Sequence, residues 1–185
     1  MHRGGARCIA SRKGACNTGT VKAVCTSAVK GIQKSEQQYV DLVPDWGIED
    51  DAHAGPWHRQ VSLLGYERIE AFKRLGADVE NGSFGENIIV EGFDLKTLPI
   101  GTRFVVGDAV LELTQVGKQC HKHCAIYHKM GDCIMPREGV FCKVIKGGRV
   151  CAGDIFDIIG EAPAASSYDP YDILASRPKT SSAVA

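Results

Sequence analysis

The residues best suited to chemistry are concentrated between Thr114 and Cys133. This stretch holds three of the eight cysteines and three of the six histidines, and two thiols, two imidazoles and a lysine fall within Gln119–Cys124. Thiolates are nucleophiles that can attack sulfur or carry a persulfide, and they also ligate soft metals. A chain that needed only a hydrophobic core would have little use for such a cluster. The stretch therefore predicts a functional site.

Cys120 is the strongest single candidate in this stretch. It follows the β-rich run Leu111–Val116 and a Gly-Lys-Gln bend, which predicts that it lies at the end of a strand and at the rim of the fold. Lys118, Lys122 and two histidines surround it, and neighbouring cations favour the thiolate over the thiol. The alternative is a cysteine that occurs in a polar turn by chance.

A metal site is a second interpretation of the same residues. Cys124 and His128 follow Cys120 by four and eight residues, so a helix that ran from Cys120 to Lys129 would place all three side chains on one face. Such a face could bind zinc and staple the segment without any catalysis. The fourth ligand would be His53, Cys133 or water. Cys124 could equally be a thiol buried by helix packing.

A second concentration of polar residues is Asp45–Arg59, with four acids, two histidines, two tryptophans and two glycines. It is too polar for a core element and predicts an ordered loop. His53 lies close to Asp50 and Asp51, and a carboxylate beside an imidazole can orient the ring or bind a hard cation. A solvated acidic loop is the commoner explanation. Arg59 could face an anionic ligand or form a surface salt bridge.

Short strands are the elements that must position these groups. Gly107-Asp108 and Gly147-Gly148 predict hairpin turns between apolar runs. Many short strands, few helices and frequent glycine turns predict a mainly β fold, a closed β-barrel with a few helical insertions. The predicted strands are Thr20–Ser27, Tyr39–Val43, Ile88–Val90, Leu98–Ile100, Arg103–Val106, Ala109–Val116, Val140–Ile145 and Ile155–Ile159.

One helix and two loops complete the prediction. The apolar spacing of Val61–Leu75 favours a helix that Ser62 could cap and that Gly76 would end. The polar stretch Gly31–Gln38 predicts a loop. Asn81–Asn87 predicts a glycine-rich turn that could bring backbone N–H groups close to a ligand.

The composition indicates a soluble globular protein with one main domain. The chain has 185 residues, 44% of them hydrophobic, and no net charge, so nothing global indicates nucleic acid. We find neither an apolar run that could span a membrane nor a secretory signal, and we expect a cytoplasmic protein with reduced cysteines. We divide it into a flexible basic arm (1–19), a barrel domain (20–160) and a disordered Ala/Ser/Pro-rich tail (161–185). Cys25, Cys142 and Cys151 lie in apolar runs and are predicted to be small buried hydrophobes.

Several segments together, in order over about Thr20–Gly160, resemble the MOSC domain, the module found at the C-terminus of molybdenum cofactor sulfurases and as stand-alone proteins. Each segment alone is a weak signal, whereas the ordered set is specific. Asp50 departs from the pattern because glycine is expected there. The matching segments are Gly47–Gly55, Arg59–Leu64, Gly82–Ile88, Ile100–Ala109, Cys120 after Thr114-Gln115, Gly139–Val144, Gly147-Gly148 and Ala152–Asp154.

The resemblance implies a barrel that handles molybdenum cofactor (molybdopterin). Cys120 would carry sulfur or ligate molybdenum, and Lys118 and Lys122 would keep it ionised beside the bound cofactor. A separate cysteine desulfurase or a molybdoenzyme would be the partner. A small cofactor-dependent reductase that needs redox partners, and the zinc module described above, are the alternatives. The pterin-side pocket would be lined by Asp51, His53, Arg59, Gly85, Glu86 and Asn87.

Overall fold

The computed structural model describes residues 18–120 and 123–159. Except for residues 18 and 19, the predicted N-terminal arm lies outside these ranges, as does the predicted tail. A single turn of 3-10 helix spans Leu95–Thr97. The strands and helices are β1 (Gly19–Thr26), β2 (Ser35–Gln37), β3 (Tyr39–Val43), β4 (Gly47–Ile48), β5 (Val61–Gly65), α1 (Tyr66–Arg74), β6 (Ile88–Glu91), β7 (Arg103–Val106), β8 (Ala109–Val116), α2 (Ala125–Met130), α3 (Met135–Glu138), β9 (Val140–Lys146), β10 (Gly148–Cys151) and β11 (Ile155–Ile159).

Seven strands close into a barrel, in the order β1-β11-β7-β8-β9-β5-β6 and back to β1. The β5–β6 pair is parallel and has α1 between its strands, while the other neighbouring barrel strands are antiparallel. β2 extends the sheet beyond β1, and β10, β3 and β4 form a separate small sheet. The predicted mainly β barrel is confirmed.

Apolar side chains from all seven barrel strands and from the small sheet form one buried cluster. Strand β8 shows the cause, because buried Ala109, Leu111 and Leu113 alternate with half-buried residues. Cys142 belongs to the same cluster, while Cys25 and Cys151 are buried elsewhere. The prediction that these three cysteines are buried is confirmed.

A second apolar cluster joins α1 to strands β1, β5 and β6 and to the segment that contains α2 and α3. Ile69 and Phe72 of α1 pack in it, and Phe84 meets the Phe72 ring edge-on at 5.6 Å. This cluster fixes α1 and the β8–β9 connection against the same barrel wall. None of the described helices has the length and apolar composition required to cross a membrane.

The prediction of one helix over Val61–Leu75 is wrong, because its first five residues form β5. All five are buried, because Val61 and Leu63 pack in the barrel core, Leu64 packs in the second cluster, and β6 and β9 pair with the two edges of β5. A strand buried on both faces has no alternating pattern, and periodicity cannot distinguish it from a helix segment. Gly65, rather than Ser62, precedes the helix.

Three smaller predictions are also wrong. Gly147-Gly148 does not join a hairpin, because β10 pairs with β3 and not with β9. Leu98–Ile100 is irregular; Pro99 has no N–H to donate and Ile100 is exposed. The expected loop Gly31–Gln38 contains the short strand β2. By contrast, Gly107-Asp108 does form the two-residue turn predicted between β7 and β8.

Candidate functional site

A cavity of about 680 Å³ lies on the side of the barrel where the β8–β9 connection crosses. Five described stretches and Phe141 line it, and the stretches span residues 31–33, 53–62, 78–87, 118–120 and 124–136. All three polar regions that the sequence singled out therefore reach one cavity. Its volume is within the usual range for a site that holds a small molecule or a cofactor.

The chain turns after the end of β8 and places Cys120 at this cavity. Gly117 has a φ of +67°, and a Cβ there would lie 2.6 Å from the Pro136 carbonyl oxygen, so glycine allows the chain to turn tightly against α3. Lys118 N–H then donates to the same carbonyl at 2.9 Å. Cys120 follows as an exposed residue in the cavity lining.

Arg59 presents a guanidinium group to the cavity between two aromatic rings. Its central carbon lies 4.8 Å from the Trp57 ring and 5.7 Å from the Phe141 ring. The Arg59 Nε is buried and has no hydrogen-bond partner among the described residues. Lys118 Nζ approaches the same Phe141 ring at 5.9 Å. A buried donor without a partner, next to a second cation, suits an anionic ligand.

Beneath the cavity lies a group of buried polar side chains that we call the floor, made of Lys34, Asp51, Ser62, Glu86 and Asn87. Asp51 forms an ion pair with Lys34 in which both side chains are at most 1% exposed. Burial opposes ionisation of Asp51, but hydrogen bonds from His53 and Lys34 outweigh it and hold the pKa of this carboxyl below its usual range.

His53 connects the floor to the cavity. Its backbone N–H donates to Asp51 Oδ1 at 2.9 Å, and its ring Nδ1 lies 3.5 Å from both Asp51 Oδ1 and Lys34 Nζ. The ring itself is 39% exposed and lines the cavity. The Asp51 carboxylate orients the His53 imidazole, so the Nδ1 edge of the ring faces the floor.

Asn87 links β1, β5 and the loop that carries Asp51. Its side-chain amide donates to Asp51 Oδ2 at 3.1 Å and to the Cys25 carbonyl at 3.0 Å. Its side-chain oxygen accepts from the Ser62 hydroxyl at 2.9 Å, and that hydroxyl also lies 3.1 Å from the Gly85 carbonyl as a possible donor. Ser62, expected to be a helix cap, therefore holds the 81–87 turn in place.

The buried Glu86 side chain stabilises this turn by hydrogen bonds to its backbone. Its two carboxylate oxygens accept the backbone N–H groups of Gly82 and Phe84 at 2.8 and 2.9 Å. Burial raises the pKa of Glu86 to about 7, although these N–H groups favour the ionised form. The turn leaves Gly85 at the cavity with a φ of +82° and no atom within 4 Å of an added Cβ. The open backbone there leaves room for a ligand.

The predicted metal-binding face is not built as expected. Helix α2 begins at Ala125, so the prediction of a helix from Cys120 to Lys129 is wrong. Cys124 lines the cavity, whereas His128 does not. Within residues 18–120 and 123–159, no three His, Cys, Asp or Glu residues form a group that could hold a metal. Lys122, predicted to bind the cofactor, lies outside the described residues.

The structure separates the predicted residues into two sets. Asp51 and Glu86 are buried in the floor and do not line the cavity. Sequence reasoning missed Lys34, since a lysine in a polar stretch gives no sign that its side chain is buried. The predicted residues that line the cavity are His53, Arg59, Gly85, Asn87, Lys118, Cys120 and Cys124.

Asp50 takes the backbone shape of the glycine expected in its place. Its φ is +61°, in the left-handed region. Aspartate is one of the few residues other than glycine that adopt this region readily. The loop between β4 and β5 therefore turns at Asp50, and the neighbouring Asp51 still reaches the floor.

Comparison with solved structures finds the same fold at low sequence identity. The YuaD protein from Bacillus subtilis aligns with a TM-score of 0.63 and 20% identity, over 76% of this chain and 95% of that one. YiiM from Geobacillus stearothermophilus aligns at 0.58 and 19%, over 77% and 75%. YiiM from Escherichia coli aligns at 0.54 and 18%, over 87% and 79%.

The family assignment comes from sequence. No curated protein matches this chain. A family model described as "MOSC domain" matches residues 50–157, which is more than half of the chain and includes the floor from Asp51 onward, Arg59 and Cys120. The chain belongs to the MOSC domain family.

Proposed function

We propose that this protein binds molybdenum cofactor in the cavity and supports its maturation or transfer, with Cys120 as the residue that carries sulfur or ligates the metal. One observation carries the proposal: the exposed Cys120 thiol shares the cavity with Arg59, whose buried Nε has no partner among the described residues. The association of the MOSC domain with this cofactor supports the assignment.

The lining residues fit a phosphorylated pterin. Arg59 and Lys118 offer positive charge to a phosphate, and Trp57 and Phe141 offer aromatic faces to a flat ring system. Gly85 leaves open space beside the backbone of the turn. A thiolate such as that of Cys120 is a soft ligand. When bound, the cofactor supplies a molybdenum centre that can take a sulfur ligand.

The remaining groups prepare this chain for that role. Lys118, two residues before Cys120, adds positive charge to the lining that Cys120 shares. Asp51 orients the His53 imidazole toward the cavity, where it can hold or release a proton close to the ligand. The floor fixes the position of the turn at Gly85 relative to the loop at Arg59, because Asn87 and Ser62 link β5 to the turn.

The first test is metal and mass analysis of protein purified anaerobically from a host that makes the cofactor. We expect molybdenum with pterin, or an added sulfur that reductant removes, and we expect Cys120→Ser to lose the sulfur. Gln119→Ala, which changes an exposed neighbour in the same lining, is the matched control. Zinc at one atom per chain, with neither pterin nor added sulfur, would contradict the proposal.

A second test addresses Arg59. Hydrogen bonds to charged groups contribute about 1.5–3 kcal/mol, so Arg59→Gln should weaken retention of the pterin by roughly 10- to 100-fold. Fluorescence of the oxidised pterin measures the amount retained. Arg103→Gln, which alters an exposed arginine paired with Glu112 on the barrel, should retain as much pterin as the unmodified chain. Equal retention in all three proteins would remove Arg59 from the site.

A further inference from the structure

The cavity holds two thiols that the proposed role of Cys120 does not use. Cys124 and Cys133 line the cavity together with Cys120, so one connection between two strands brings three cysteines to one site. Cys124 is exposed and Cys133 is buried, and both are free thiols. Their side chains form a hydrogen bond with each other. Two thiols this close are within reach of disulfide formation after a small movement.

The buried member of the pair is held rigidly. Cys133 N–H donates to Asp132 Oδ1 at 2.8 Å, and Arg137 donates to the Cys133 carbonyl at 3.0 Å. Arg137 also binds both carboxylate oxygens of Asp132, at 2.6 and 2.7 Å. Cys133 packs in the apolar cluster that includes its neighbours Ile134 and Met135. The Cys133 backbone and side chain are therefore held in place by these hydrogen bonds and this packing.

The exposed member is held more loosely. Cys124 directly precedes α2, its carbonyl accepts His128 N–H at 3.1 Å, and its side chain reaches solvent. Because Cys124 reaches solvent in the cavity and Cys133 is buried, Cys124 is the thiol that can act first as the nucleophile.

We propose that Cys124 and Cys133 form a dithiol that removes sulfur from a Cys120 persulfide and releases it as sulfide into the cavity. This inference rests on the proposed function, because it requires Cys120 to carry sulfur. It assigns a further chemical role to two residues of the same site and explains why the connection brings three thiols together rather than one.

The chemistry balances in two steps. The Cys124 thiolate attacks the outer sulfur of the Cys120 persulfide, so the new sulfur–sulfur bond forms on Cys124 and Cys120 leaves as a thiolate. Cys133 then gives its proton to the outer sulfur and attacks Cys124 Sγ as a thiolate, which forms the Cys124–Cys133 disulfide and expels the outer sulfur as hydrogen sulfide. The two thiols are oxidised by two electrons and the sulfane sulfur is reduced by two. An external dithiol reductant resets the pair.

The test uses the full chain, reduced, freed of reductant and treated anaerobically with one equivalent of inorganic polysulfide. We expect sulfide release in the unmodified chain, together with a Cys124–Cys133 disulfide in peptide mass maps. Cys124→Ser should keep the added sulfur on Cys120 and release no sulfide beyond the leaving group that forms when polysulfide loads Cys120. Cys133→Ala should allow the sulfur to move to Cys124 and stop there. Cys142→Ala, which removes a thiol from the barrel core, is the matched control and should behave like the unmodified chain.

The outcomes separate this inference from the proposed function. A Cys120 persulfide that releases sulfide equally in the unmodified chain, Cys124→Ser and Cys133→Ala would overturn the dithiol and leave the sulfur-carrier role intact. A Cys124–Cys133 disulfide that still forms in Cys120→Ser would show direct oxidation by polysulfide and would also overturn the relay. Absence of any added sulfur on Cys120 in Cys124→Ser, where the relay cannot remove it, would overturn both the relay and the sulfur-carrier role and would leave metal ligation as the role of Cys120. If Cys133→Ala fails to fold, the exposed Cys124→Ser variant decides the question.

Discussion

The floor and the β8–β9 connection both border one cavity and are built in opposite ways. The floor consists of buried charged and amide groups that bond to one another and to backbone N–H groups, as Asp51 and Glu86 do. The connection carries soft, exposed groups such as Cys120 and Cys124 on a segment pinned at Gly117. Polar residues that look alike in the sequence therefore divide into those that shape the cavity and those that face it.

The comparison implies that damage to the floor should unfold the protein, while damage to the connection should leave it folded. The largest effect is expected for Asp51→Ala. Loss of this carboxylate leaves buried Lys34 without its partner, and breaking a buried ion pair in this way costs about 3–5 kcal/mol. Chemical denaturation followed by circular dichroism at pH 7 measures the free energy of unfolding.

Asp41→Ala is the control for that measurement. Asp41 pairs with Arg149 at 2.7 Å, but both side chains are more than one-third exposed, so the loss should be below about 1 kcal/mol. Similar losses for the two variants would show that the Asp51–Lys34 pair contributes no more to stability than a surface pair.

Two glycines of the 81–87 turn differ in the same way, because Gly82 packs against Lys34 of the floor and Gly85 faces the cavity. Gly82 has a φ of +86°, and an added Cβ would lie 2.2 Å from the Lys34 carbonyl oxygen. Alanine is strained at this left-handed φ, and its methyl group would clash with the carbonyl oxygen. Gly82→Ala should therefore lower the free energy of unfolding by about 3 kcal/mol or more. Gly85→Ala has similar strain but open space, and should lose only about 1–2 kcal/mol.

Gly85→Ala should instead reduce pterin retention, because the new methyl group projects into the cavity. Thermal melts compare the stability of the two variants, and pterin fluorescence compares binding. The prediction fails if Gly85→Ala is the less stable protein or if it binds the pterin as well as the unmodified chain does.

A pH dependence of the stability arises from Glu86. Its pKa rises from 4.5 to about 7 on folding, so the folded protein binds more protons than the unfolded chain between these values. The stability contribution of the protonated group is complete below pH 4.5 and is lost as the pH rises to about 7. At about 1.4 kcal/mol per pKa unit, the loss is of the order of 3 kcal/mol.

Glu86→Gln should remove this slope, at the cost of one acceptor for the Gly82 and Phe84 N–H groups. Denaturation midpoints between pH 4.5 and 8 measure it, with the exposed Glu80→Gln as control. A slope that persists unchanged in Glu86→Gln would mean that another group titrates.

Local patterns in the sequence were enough for much of the barrel and for the centre of the site. Alternating apolar residues predicted β3, β7 and β8, because each buries one face and leaves the other at least partly exposed. Gly107-Asp108 predicted its turn because the geometry of a two-residue turn is local. The position of Cys120 after β8 followed from the same reasoning, and the ordered motifs indicated the MOSC domain family.

Tertiary structure decided what depends on distant partners. Val61–Gly65 is a strand because it pairs with β6 and β9 and packs between two apolar clusters, and β10 pairs with β3, a partner more than 100 residues away in the sequence. Lys34 is buried only because Asp51 meets it, and Cys133 lies beside Cys124 only because the β8–β9 connection folds back on the second apolar cluster. Burial and pairing across the chain are long-range properties, and a local pattern does not contain them.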